Sequence, residues 1–556
     1  MNQQTKWSQF GTLITVFFFW GFVAASNGVF IPFCKTHFHL DQFESQLIDS
    51  AFYGAYFFGS LILYMLSAFT KVDILNKMGY KNGIIVGLAI SVIGALGMAF
   101  ISTSANATFA MVLLCFFVIA LGFSLQQTSA QPFAIAMGSQ ETGAHRLNMA
   151  GGINSLGTLL GPLIVSFVLF GSLKGGGTEP TLGNIKTLYL TLAGLFTFVA
   201  VFFAVSKLPR VTSDEKIETS NKAMTSLLII AIPVFMLIFL NKWVVTQFGD
   251  DGKRGLIIGT LLITIGVLVN AMVSSRKNKE GWGAMQYPQL VLGMIAIFVY
   301  VGVEVTVQSN MGALLKTPDF GSINEKYISP FISLYWGSLM IGRWTGAVSV
   351  FDVSKNTKRI LTAVVPFLAF GVILLVNWSQ GTDISNFSVY AVCIAVLVVA
   401  FIYANEKPVT MLFTVSLLAV IAMLIGLFTN GEVAKYAFIS GGLFCSVMWP
   451  CIFSLGVAGL GKYTSQGSSF LIMMILGGAV IPPLQGAVCD IDATSPGGIM
   501  GTTYTHFSYI VPIACFAYLA WHALKTRKVL KSQGLDFDNS GWRRSLKKIQ
   551  NYPLIL

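Results

Sequence analysis

The stretch YFFGSLIL, residues 56–63, has a counterpart far along the chain in LYWGSLMI, residues 334–341, and this pairing decides the architecture. The two glycines, Gly59 and Gly337, lie 278 positions apart. Three further pairs keep the same order. FFFWGFVAASN at Phe17 resembles IFVYVGVEVTVQS at Ile297, with Gly21 and Gly302 separated by 281. SAQPF resembles VMWPC, with Pro132 and Pro450 separated by 318, and LLGPLI resembles AVIPPL, with Pro162 and Pro482 separated by 320. The offset therefore rises from about 280 to about 320, which requires about 40 inserted residues in the second copy, between segments 328–350 and 437–459. Two apolar segments within residues 360–404 fill that gap. The first copy ends near residue 208, so an offset of 280 leaves about 70 residues more, filled by 225–241 and 255–273. The expected architecture is six plus six helices with two inserted helical hairpins.

Composition places these helices in a membrane. Of 556 residues, 54% are hydrophobic and only 10% charged, with mean hydropathy +0.73. A soluble chain carries roughly 25% charged residues. A helix needs about 20 apolar residues to cross hydrocarbon. Sixteen segments qualify: 10–33, 46–70, 83–102, 109–137, 147–171, 187–207, 225–241, 255–273, 289–308, 328–350, 360–377, 388–404, 409–428, 437–459, 468–489 and 505–524. The fold class is an all-α polytopic membrane protein. The run Phe10 to Phe33 is too long for a signal-peptide core and lacks a small-residue cleavage site, so it is expected to remain as a span.

The net charge of +12 is distributed in a way that explains it without nucleic acid. If the N-terminus is cytoplasmic, 26 of the 35 Lys and Arg fall on the cytoplasmic side and nine on the other. That is the positive-inside asymmetry. It predicts an even number of spans and both termini in the cytoplasm, in the plasma membrane (the inner membrane of a Gram-negative cell). Seven cysteines show no metal-type spacing and read as small core residues. Five histidines form no ligand cluster, and neither G-x-x-x-x-G-K-[ST] nor H-E-x-x-H occurs. No catalytic constellation is visible, and an enzyme is not expected.

Polar residues inside spans mark the candidate site. In LGFSLQQTSAQPFAIAMG, residues 121–138, Ser124, Gln127, Thr128 and Gln131 share one helical stripe, whereas Gln126 points elsewhere. Facing lipid, each unsatisfied amide would cost several kcal/mol, so the stripe must face protein or water. Ser26 and Asn27 lie in the first span, and Gly151, Asn154, Ser155 and Thr158 form another stripe. The glycines Gly151, Gly152 and Gly157 suit tight helix packing equally well. Tyr300, Glu304 and Gln308 follow at intervals of four. Glu304 is the one acid placed deep in a span, at an insertion cost of roughly 2.5–3.5 kcal/mol if unpaired. Trp336 and Trp449 offer aromatic faces, and Arg343, toward one end of its span, reads as structural. Rings that cover C–H faces, beside amides that pair with hydroxyls, suit a sugar. Interhelical hydrogen bonding and helix packing are the alternative reading of the same residues.

The segments FFFWGF, MGYKNGIIVGL, ETGAHRLNMAGGINSLGTLLGPL, YVGVEV, LYWGSLMIGR, MWPCIFSLGVAGLG and GSSFLIMMILGGAVIPPLQG together resemble the fucose/glucose–galactose permeases of the major facilitator superfamily. The resemblance implies alternating-access uptake of a monosaccharide of the hexose, fucose or amino-sugar class, commonly with proton symport. It also exposes departures. The family's first-helix Asp falls on Gly28, its fourth-helix Glu on Gln127 and a fifth-helix Gln on Gly151, while an Asn is kept as Asn154. Asn76 replaces the usual Asp of the loop motif in NKMGYKNG. The fucose permease's proton-handling carboxylates are thus absent, and its mechanism does not transfer.

The residues expected to bind substrate are Asn27, Gln127, Gln131, Asn154, Tyr300, Gln308, Trp336 and Trp449, with Glu304 coupling. No bound cofactor or metal is expected; H+ and Na+ are the candidate co-transported ions. The expected partners are a sugar and the bilayer, with no nucleic acid and no obligate protein partner. The divisions are a half at 1–208, a linker and hairpin at 209–283, a second half at 284–531 and a basic tail at 532–556. A sugar uniporter, a carrier of another small polar solute, and a non-transporting sensor or scaffold are the alternatives.

Overall fold

An apolar run in hydrocarbon must satisfy every peptide N–H and C=O within itself, which a helix does. The computed structural model describes residues 6–535 apart from 39, 41, 73, 105, 139–142, 171–181, 210–219, 324–326, 352, 405–406, 494, 496–497 and 500. Among the described residues no strand forms. The first half contains α1 (Trp7–His37), α2 (Gln42–Thr70), the short α3 (Ile74–Met78), α4 (Tyr80–Ile101), α5 (Phe109–Ala136), α6 (Gly143–Phe170) and α7 (Leu182–Val205). The first inserted pair is α8 (Asn221–Phe239) and α9 (Asn241–Lys277). The second half opens with α10 (Pro288–Ser309), its short continuation α11 (Met311–Leu315), and α12 (Ser329–Ala347). The second inserted pair, α13 (Lys355–Ser379) and α14 (Tyr390–Ala404), comes next. Then follow α15 (Pro408–Phe428), α16 (Gly431–Cys445) continued by α17 (Met448–Gly456), α18 (Thr464–Met473) continued by α19 (Gly477–Cys489), and α20 (Tyr504–Phe507) running into α21 (Ile510–Ser532).

Counting each continued helix once, these helices correspond to the sixteen expected segments. Fourteen meet length and hydropathy limits for a span among the described residues. The other two, α6 and α12, lie opposite each other in the bundle. Arg343 and its small polar neighbours lower the hydropathy of α12. Local chemistry sets several ends. Thr108 caps α5 by accepting from the Met111 amide, Ser354 caps α13 through Thr357, and Pro288 and Pro408 start α10 and α15.

One connection differs from expectation. Residues 242–254 read as a loop between two spans, but α9 begins at Asn241 and is interrupted only at Gly249, whose φ of 62° breaks the helix. The left-handed conformation is open to glycine at little cost, so the chain turns there without a longer loop.

Two seams join the halves. α2 packs against α18 and α19, and α6 packs against α12. These are the second and fifth helices of each half, the relation expected of parallel repeats about an axis along the membrane normal. Small residues allow the approach: Tyr53 of α2 lies over Gly478 of α19, and Trp344 of α12 over Gly152 of α6. The inserted pairs sit outside this core. α8 packs on α2, with Ile238 against Gly54, while α9 packs on α10 and α19. α13 packs on α12, with Ile373 against Gly337, and α14 reaches α15 and α16. The most apolar window of α10 is 94% buried and that of α9 only 28%, which separates a central helix from a peripheral one.

Candidate functional site

The polar residues of the spans assemble where the halves meet. On α10, Tyr300 and Glu304 lie one turn apart, and the Tyr300 hydroxyl donates to Glu304 Oε1 at 2.7 Å. Arg343 of α12 donates to the same oxygen through Nη2 at 3.2 Å. Its other terminal nitrogen, Nη1, points across the seam to α6: to Ser155 Oγ at 2.9 Å, and to Asn154 Oδ1 and the Gly151 carbonyl at 3.4 Å each. The Glu304 and Arg343 side chains are each 12% exposed, so this ion pair is largely withdrawn from solvent. The Tyr335 hydroxyl donates to the Glu304 backbone carbonyl at 2.7 Å, which fixes α12 against α10. The Trp449 ring stands 6.2 Å from that of Tyr300, centre to centre, and Trp336 meets Tyr335 edge-on at 5.8 Å. Gln308, half-buried one turn beyond Glu304, has no hydrogen-bond partner among the described residues.

A second cluster belongs to the first half. Gln127 Nε2 donates to the Tyr56 hydroxyl of α2 at 3.1 Å. Gln131 Nε2 donates to Gln127 Oε1 at 3.2 Å. Gln131 Oε1 is buried and has no partner among the described residues. A buried amide oxygen left unpaired costs about 1–3 kcal/mol, which a ligand hydroxyl would recover. Asn154 donates to the Phe17 carbonyl of α1 at 3.0 Å, so it is held by α1 as well as by Arg343. The side chain of Asn27 lies outside the described residues.

The four-residue stripe on α5 therefore divides. Gln127 and Gln131 behave as one unit. Ser124 and Thr128 instead meet Ser60 of α2, at 3.0 and 3.4 Å, and stitch two helices of the same half. They are short side chains at close helix contact, where a hydroxyl reaches its neighbour before it reaches any cavity. Gln126 does point elsewhere: it accepts from Trp20 Nε1 at 2.9 Å and donates to Ser91, tying α1 and α4 to α5. Sequence reasoning missed the role of Arg343. The signal was present, since Arg343 is the one base within its span, but its partner is 39 positions away on another helix. Tyr56 carried no signal in the sequence, whereas Ser155 belongs to the α6 stripe read from it. No group of three or more potential metal ligands occurs among the described residues.

A sequence profile of the Major Facilitator Superfamily matches residues 12–406. The chain belongs to the Major Facilitator Superfamily. It is a membrane-embedded transporter and not an enzyme. This superfamily member is 29% identical over 513 residues to the glucose/galactose transporter of Brucella abortus biovar 1 (strain 9-941), with 92% of each chain covered. It is 22% identical over 525 residues to the L-fucose-proton symporter of Escherichia coli (strain K12), covering 92% of this chain and 91% of that one. The crystal structure of the E. coli fucose:proton symporter superposes with a TM-score of 0.59 at 19% identity, covering 93% of this chain and 98% of the other. That match establishes the two-halved fold, within which the two polar clusters lie between α2, α5, α6, α10 and α12.

Proposed function

We propose that this transporter imports a monosaccharide of the hexose, fucose or amino-sugar class by alternating access, with cation coupling through Glu304. The observation that carries the reading is a pair of unlike polar clusters, one in each half. One presents the amides of Gln127 and Gln131 with a vacant acceptor oxygen; the other presents Tyr300, Trp449 and a carboxylate. Amides pair with hydroxyls, and aromatic faces cover the C–H side of a sugar ring. The relatives that carry glucose, galactose or fucose support the substrate class, and those that are proton symporters support H+ as the coupling ion over Na+. Substrate contact is assigned to Gln127, Gln131, Tyr300, Gln308, Trp336 and Trp449, with Asn27 and Asn154 completing it from α1 and α6.

Residues 1–208 and 284–531 act as the two moving halves, 209–283 as linker and hairpin, and 532–556 as a basic cytoplasmic tail. The charge asymmetry supports a plasma-membrane location with both termini inside. A uniporter remains the second reading, because Glu304 already has a counter-cation in Arg343 and so needs no transported ion for its burial.

The test is uptake of a panel of labelled monosaccharides into proteoliposomes, with and without sodium and a pH gradient. Saturable entry of one or more sugars is expected, with accumulation above equilibrium under a proton gradient. Failure of every sugar to enter sinks the proposal. Glu304→Gln keeps shape and hydrogen bonding but removes the charge, and should abolish accumulation while sugar exchange continues. Accumulation at the unsubstituted level in Glu304→Gln would leave the uniporter reading.

A further inference from the structure

Arg343 is the residue on which the two halves meet through charge. We propose that Arg343 transmits the state of Glu304 to the α6/α12 seam, acting as a latch that closes when the carboxylate is free and loosens when a proton or cation occupies it. This rests on the coupling reading of Glu304 above.

The geometry carries it as follows. Arginine presents five donors in a rigid planar fork and stays charged, so the charge in the seam is constant and only Glu304 can vary. One arm of the fork is on Glu304 of α10, and the other is on Ser155, Asn154 and the Gly151 carbonyl of α6. The α6 acceptors are all neutral. Gly151 leaves the room required: a Cβ there would stand 3.3 Å from Arg343 Cδ. Beside the fork, Trp344 Nε1 donates to the Gly152 carbonyl at 3.3 Å, and His145 Nδ1 lies 3.3 Å from the Gly346 carbonyl. The polar closure of this seam is thus centred on a guanidinium whose only anionic partner among the described residues lies in the second half.

Consider what a proton or cation at Glu304 does. It cancels the carboxylate and leaves the guanidinium uncompensated in a nearly dry site, a strongly unfavourable state. Three neutral acceptors do not offset that charge. Arg343 then turns toward water and releases its α6 acceptors. Other ionisable groups near Glu304 are Tyr300 on α10, Tyr335 on α12, Tyr53 on α2 and Cys445 on α16. The nearby carboxylate on α2, Asp49, acts on Tyr53, whereas the charge acting on Glu304 is that of Arg343, and His145 reaches the seam through a backbone carbonyl.

The reporter is Asn148→Cys. Asn148 sits on α6 against Gly346 of α12, is 8% exposed, and makes no hydrogen bond among the described residues, so its replacement removes no bond from the seam. The rate at which a maleimide modifies position 148 is measured by mass spectrometry on the purified full-length transporter at one fixed pH. Arg343→Gln should raise that rate at least about fivefold, the low end of ordinary coupling between sites. Glu304→Gln should raise it similarly although Glu304 does not touch α6, a response that a merely structural Arg343 would not produce. The two changes together should do no more than either alone, as members of one latch are non-additive. An unchanged rate in Glu304→Gln overturns the proposal, whether or not Arg343→Gln folds. The labelling needs no sugar, so failure of sugar uptake and failure of the latch are read separately.

Discussion

Gln131 Oε1 and Gln127 define the chemistry at the scale of single residues. The amide of Gln127 is held at both ends, by Tyr56 and by Gln131, and the Gln131 oxygen is left without a partner among the described residues. Removing Gln127 also leaves the Gln131 Nε2 donor and the Tyr56 hydroxyl, an acceptor here, without those bonds. Gln127→Ala should therefore weaken sugar affinity by about 1–2 kcal/mol, roughly five- to thirtyfold. The half-saturation constant for sugar exchange in proteoliposomes is the measurement, and an unchanged constant would assign Gln127 to packing. Glu304 and Arg343 are the opposite case, since each is already satisfied by the other and the cost of removing one alone is high, about 3–5 kcal/mol for a buried pair. The sequence showed that Glu304 must have a partner or a purpose. It did not show that the partner was Arg343, because periodicity gives the azimuth of a side chain on its own helix and says nothing about which helix stands opposite.

At the scale of elements, close backbone approach decides which glycines matter. A Cβ on Gly157 of α6 would lie 2.1 Å from the Phe18 carbonyl oxygen of α1, and one on Gly21 would lie 1.9 Å from that of Asn154. Neither obstacle is a flexible side chain, so the two helices would have to part. Gly194 of α7 has nothing within 4 Å of such a carbon. Gly157→Ala is expected to lower thermal stability or folded yield, while Gly194→Ala should be neutral or raise stability, since alanine is favoured over glycine in a helix by about 1 kcal/mol. Thermal unfolding in detergent checks both, and equal effects would refute the close α1–α6 contact. The glycine-rich face of α6 was open to two readings from sequence, packing or substrate. The contacts it makes are packing contacts on two sides: Gly157 meets α1, while Gly151 and Gly152 meet Arg343 and Trp344.

For the whole molecule, the inserted hairpins lie outside the twelve-helix core, and their tips are expected on one side of the membrane. Asp251, 96% exposed at the tip of the first pair, and the 380–384 turn of the second are expected on the non-cytoplasmic face. Single cysteines at Asp251 and Thr382 should react with an impermeant maleimide added outside intact cells, whereas one at Lys358 should not. Labelling of Asp251→Cys from the cytoplasm alone would invert or break the assigned topology.

The helical segments, the two repeats and the inserted pairs were legible in the sequence alone. A bilayer poses a one-dimensional problem: each crossing must be long and apolar enough, and each connection must carry charge on the favoured side. Four paired stretches in the same order, beginning with 56–63 and 334–341, aligned the halves. Tertiary structure alone decided that α6 faces α12, that Trp20 takes Gln126 out of the site, and that Ser155 and Glu304 share one guanidinium. Those partners lie 106, 188 and 39 positions apart in the chain. In helices buried on all sides, such as α10, the hydrophobic pattern no longer marks a face. Which polar groups meet then depends on the order and rotation of neighbouring helices, which only packing fixes.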